Sequence, residues 1–112
     1  LDKDVPPKPK PTLNQCATML ELAFREVHGR EGLSKTAQDL KTLATVLDSR
    51  AREAMRNDGM SGNESDMILT SLREAMLAEA KEKEARGIRS DLDFEHCFVL
   101  AAPEDKARKF EN

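Results

Sequence analysis

Three stretches of this chain set their apolar residues at steps of three and four, and that spacing confines it to helices packed on one another. The first runs through Leu13, Cys16, Ala17, Leu20, Phe24 and Val27. The second runs through Ala37, Leu40, Ala44, Leu47, Ala51 and Ala54, widened by Leu43, Val46 and Met55. The third is Ile68, Leu69, Leu72, Ala75 and Met76. Each stretch opens on a hydroxyl residue able to accept from the orphan amides of a first turn. Thr12 to Gln15 and Ser61 to Glu64 have capping-box spacing, and Ser34 or Thr36 starts the middle helix. Gly29 and Gly32 are expected to end the first helix, Asn57-Asp58-Gly59 the second and Gly87 the third.

A fourth, shorter helix is expected to begin at Ser90-Asp91-Leu92-Asp93, with Phe94, Cys97, Phe98 and Ala101 on one side. Phe94, His96, Phe98 and Leu100 also alternate as a strand would, but a lone strand has nothing to pair with in a helical chain. Pro103 resets the backbone. The acidic residues Glu104 and Asp105, followed by Lys106, Arg108 and Lys109, suit a short terminal helix. The fold class is therefore all-α: a compact bundle of three longer helices plus one or two short C-terminal ones.

Residues 1–12 differ in kind. They carry four of the five prolines, at positions 6, 7, 9 and 11, and should form an extended, semi-rigid leader before a helical domain over 13–112. Pro6 and Pro9 make one P-x-x-P, a minimal ligand pattern for an SH3-like groove; the plainer reading is a linker. The first residue is Leu1 rather than Met, which reads as a fragment or a processed chain. A chain of 112 residues suits a single core, and no stretch approaches the roughly 20 apolar residues of a membrane span. The two cysteines, Cys16 and Cys97, lie 81 positions apart with no C-x-x-C between them. Read as unpaired core thiols, they point to a reducing, cytoplasmic setting.

Two local patterns resemble chemical motifs. Residues 29–36, GREGLSKT, are similar to the phosphate-binding loop G-x-x-x-x-G-K-[ST], but Ser34 replaces the final glycine and LELAFREVH before it is no buried strand. A helix-connecting loop explains the same residues. His28, with Gly32 four positions on, is similar to the H-x-x-K-G surround of histidine phosphotransfer domains. There Glu31 puts a negative charge where a lysine would receive the phosphoryl group. Cys16, His28, His96 and Cys97 lack the short paired spacing of a structural zinc site. The acidic residues are spread over polar faces, so the expectation is no enzyme, no catalytic residue, no cofactor and no metal.

Charge leaves one further function class open. The net charge is −3, against a dedicated nucleic-acid coat, yet residues 34–63 carry five basic and four acidic residues. Lys41, Arg52 and Arg56 are the candidates for contacting phosphates; Asp48 is placed to pair with Arg52, and there is no Trp or Tyr to stack bases. A helical docking module explains more. Three of the four Phe lie between residues 94 and 110, and Phe98-Val99-Leu100 covers more than one side of a short helix. The partner-binding candidates are Phe94, Phe98, Val99, Leu100 and Phe110, with Leu43, Val46, Met55, Met67 and Met76 as a further seam for self-association. The expected function is a non-catalytic interaction domain of a larger protein, meeting a protein partner or a second copy. Nucleic-acid binding by the second helix is the alternative.

Overall fold

The structure is a computed structural model that describes residues 7–88 and 92–103. Among these residues there are four helices and no strand: α1 (Leu13–Glu31), α2 (Lys35–Asn57), α3 (Gly62–Ala85) and α4 (His96–Ala101). The all-α architecture, three long helices and a short C-terminal one, follows from the caps and stripes. No helix among the described residues is long and apolar enough to cross a membrane.

Each long helix starts where a side chain can satisfy its first amides. The Thr12 hydroxyl accepts from the Gln15 amide at 3.1 Å, and the Gln15 carboxamide accepts from the Thr12 amide at 2.8 Å. Ser34 accepts from Ala37 at 3.2 Å, and Ser61 and Glu64 form a second reciprocal box. Termination is sharper than the glycine count suggested. Gly29 stays inside α1, exposed on its outer side. The helix ends at Gly32, which takes φ of +68° and donates its amide to the His28 carbonyl at 2.9 Å. A φ in that range disfavours any residue with a Cβ, so the stop is encoded at position 32 alone.

The core is built from one side of each helix. Cys16, Ala17 and Leu20 of α1 meet Leu47, Ala51 and Met55 of α2, Leu69 of α3, and Cys97 and Ala101 of α4. Alanines at 17 and 51 let the backbones of α1 and α2 approach, and these two helices share the largest interface. The predicted stripe of α2 slips at its end: Ala54 is exposed and Met55 is buried in its place. A rotation of 100° per residue moves the inward direction from position 54 to 55 as α2 passes α1. In α3 only Ser65 and Leu69 are buried, while Ile68 and Ala75 of the expected face are exposed. Beyond Met76 that helix stands in solvent, braced by Glu79–Lys83 and Glu82–Arg86 pairs at 2.8 and 3.5 Å.

The cysteines are not free. Cys16 and Cys97 form a disulfide, with their Cα atoms 5.2 Å apart and both residues fully buried. The expectation of two unpaired thiols is corrected by the return of α4 across the first turn of α1, which a separation of 81 positions conceals. The fourth helix also begins later than expected. Phe94 and Glu95 form a turn, with the Asp93 carboxylate accepting from the Glu95 amide at 3.2 Å, and regular helix starts at His96. Residues 90 and 91, where the sequence placed its start, lie outside the described residues, as does the terminal helix expected after Pro103.

Candidate interaction surfaces

α4 is seated by three kinds of contact. The disulfide ties Cys97 to α1. From α2, one guanidinium nitrogen of Arg50 donates to the carbonyls of Leu100 and Ala102 at 2.5 and 2.8 Å, closing the helix's open C-terminal end. From the leader, the Pro9 carbonyl accepts from the Asp93 amide at 2.9 Å. Pro7 to Lys10 are exposed and Pro11 is buried, so the described part of the leader ends against the body. Pro6, the other half of the P-x-x-P pattern, lies outside the described residues.

Seated in this way, α4 turns Cys97 and Ala101 inward and leaves Phe98 42% and Val99 55% exposed. Phe94 and Leu100 are half-buried against the core, and the Phe94 and Phe98 rings meet edge-on at 5.4 Å. The structure thus separates the predicted partner residues into Phe98 and Val99, which face outward, and Phe94 and Leu100, which support them. Phe110 lies outside the described residues.

A second apolar surface lies on the other flank of the same α1 turn. Met67, 69% exposed, with Ile68 and Leu72 of α3, borders a shallow depression shared with Thr12, Asn14 and Gln15. Of the residues named as a self-association seam, Met67 alone is on the surface. Met55 is core, and Leu43, Val46 and Met76 are half-buried. By spacing, Ile68 falls on the apolar stripe of α3, four positions before Leu72. Periodicity does not show that this side of α3 is bordered only by Thr12, Asn14 and Gln15, with no side chain of α2 over it.

Between α1, α2 and α3 runs a groove of about 350 Å³, floored by Ala17, Ala44 and Leu69. Its charges are matched across helices. Glu21 accepts from Arg25 at 2.9 Å within α1 and from Arg73 of α3 at 3.2 Å. Arg52 lies between Asp48 of its own helix, at 2.9 Å, and Asp66 of α3. Hydrogen bonds to Asp66 and then Asp48 raise its already high pKa, because they favour the charged form. Lys41 sits 5.7 Å from the centre of the Phe24 ring, and Arg56 is exposed in the last turn of α2. The three candidate nucleic-acid residues therefore have different surroundings, and Arg52 is already engaged by two carboxylates.

The remaining chemical patterns resolve into structure. Residues 29–36 are the end of α1, a loop and the Ser34 cap of α2. His28 packs on Phe24 with ring centres 5.4 Å apart. Both sulfurs of the imagined zinc set are bonded to each other, and no group of three metal-ligating side chains occurs among the described residues. Compared with known proteins, the chain matches no family model, no curated sequence and no solved structure.

Proposed function

We propose that this chain is a non-catalytic helical docking domain of a larger protein, which takes a protein partner on the outer side of α4 around Phe98 and Val99. A second copy of the chain is one form that partner can take. The observation that carries this reading is the contrast within α4: two large apolar side chains face water on an element held by a disulfide and by Arg50. An exposed apolar pair on a fixed support offers contact area with little ordering cost, which favours association. Met67 and Ile68, on the other flank of the same turn, offer a second contact of the same character.

The nucleic-acid reading draws less support, because the guanidinium best placed for phosphate is occupied by Asp48 and Asp66. The cytoplasmic setting rested on free thiols and loses that basis with the disulfide.

Sedimentation of the purified chain, together with reconstitution of any captured partner as a purified complex, tests the docking reading. Phe98→Ser/Val99→Ser should keep the helical spectrum and melting behaviour and weaken association at least tenfold. A variant that associates as well as wild type would remove α4 as the docking face. A wild-type chain that stays monomeric and forms no stoichiometric complex would remove the docking function itself.

A further inference from the structure

We infer that the Cys16–Cys97 disulfide is the clasp that creates the α4 surface, so that this domain displays its docking face only after oxidation. The inference rests on the docking reading for its functional meaning, but its structural half stands separately. α4 has six residues, well below the roughly 12 at which an isolated helix becomes even marginal in water. Glu95 at its N-cap position makes no side-chain capping bond. Two of its apolar side chains face outward, so little apolar burial remains to hold it: Cys97 fully, Ala101 nearly so, Leu100 and the preceding Phe94 in part. Arg50 and the Pro9 carbonyl add three hydrogen bonds, each open to competition from water once the element lifts. The three long helices, by contrast, share Leu20, Leu47, Ala51, Met55 and Leu69, none of which belongs to α4. Breaking the disulfide should therefore free α4 and leave the body folded.

Closure of the clasp is a thiol–disulfide exchange. The thiolate of one cysteine attacks the disulfide of an oxidant and expels one thiol, forming a mixed disulfide. The thiolate of the other cysteine then attacks the bound sulfur of the first and expels the second thiol. The S–S bond of the oxidant breaks and the Cys16–Cys97 bond forms. The two cysteines lose two protons and two electrons, and the oxidant leaves as two thiols. Because both cysteines are completely buried afterwards, a reductant can reach them only when α4 opens. The bond behaves as a latch set during maturation in a compartment that supplies such an oxidant, rather than as a switch that cycles in the folded protein.

Hydrogen exchange and thiol labelling on the whole chain test this. Oxidised wild type should take up no thiol label even when denatured. After reduction, or in Cys16→Ser/Cys97→Ser, amides of residues 96–102 should exchange at least tenfold faster, while those at the centres of α1 and α2 keep their protection. Arg50→Ala, which keeps the covalent bond, should leave α4 more protected than the reduced protein. Labelling of both cysteines in the protein matured under oxidising conditions would overturn the inference. So would unchanged α4 exchange on reduction, or loss of the whole fold together with α4. If α4 loosens as expected but association is the same before and after reduction, the clasp stands and the docking role of α4 fails.

Discussion

Arg50 sends one nitrogen to two carbonyls that are 50 and 52 positions away in the chain. Those carbonyls are the free acceptors at the end of a short helix, and a charged donor to them is worth more than a neutral one. Arg50→Ala should cost about 1.5–3 kcal/mol in urea unfolding. Arg50→Lys should recover only part of that, since an ammonium on a flexible stem aligns less well with two acceptors. No loss with alanine would mean that water replaces the guanidinium without penalty. Leu47, fully buried where α1 crosses α2, sets the contrasting scale: Leu47→Ala should cost about 2–5 kcal/mol. At this scale the sequence was readable wherever a partner is near in the chain. The Thr12, Ser34 and Ser61 caps and the Asp48–Arg52 and Glu79–Lys83 pairs all follow from spacing of three or four. Arg50 to Leu100 and Cys16 to Cys97 carry no such local mark, because each depends on where α4 returns.

The elements differ in how completely they are covered. α1 is covered from three directions by α2, α3 and α4; its predicted stripe is buried at Cys16, Ala17 and Leu20 and half-buried at Leu13, Phe24 and Val27, while Thr18 is buried beside it. α3 leans on α1, meets α2 sparsely and extends beyond its last buried residue, Leu69, for four more turns. Its expected face was drawn from periodicity alone, which locates an apolar stripe without saying whether a neighbour covers it. That is why Ile68 was legible as an apolar residue but not as surface. Amides of α3 beyond Met76 should accordingly exchange faster than those at the centres of α1 and α2. Equal protection along α3 would contradict this arrangement. At the junction of α1 and α2, Gly32→Ala places a Cβ at φ of +68° in open space, so only backbone strain is incurred. Thermal unfolding should register a loss of about 1–2 kcal/mol, against a gain of up to about 1 kcal/mol for Gly29→Ala, where α1 is regular and alanine is the better helix former. Equal effects at the two positions would place the helix stop elsewhere.

For the whole molecule, the disulfide joins the first turn of one end helix to the last described helix and encloses most of the chain. Closing a loop of 81 positions restricts the unfolded ensemble by about 4–5 kcal/mol in the chain-entropy account. Reduction should lower the unfolding free energy measured in urea by no more than that, and by less if α4 melts before the body. A body that buries a small core carries a short helix whose seating leaves Phe98 and Val99 exposed, the pair proposed to meet a partner. The most direct test is a photo-crosslinking residue placed at Val99 in the oxidised chain, with the same residue at exposed Thr42 of α2 as the control. The account predicts a discrete protein adduct from position 99, to a second copy or to one other chain, and none from position 42. No adduct at 99, or the same adducts from both positions, would contradict it.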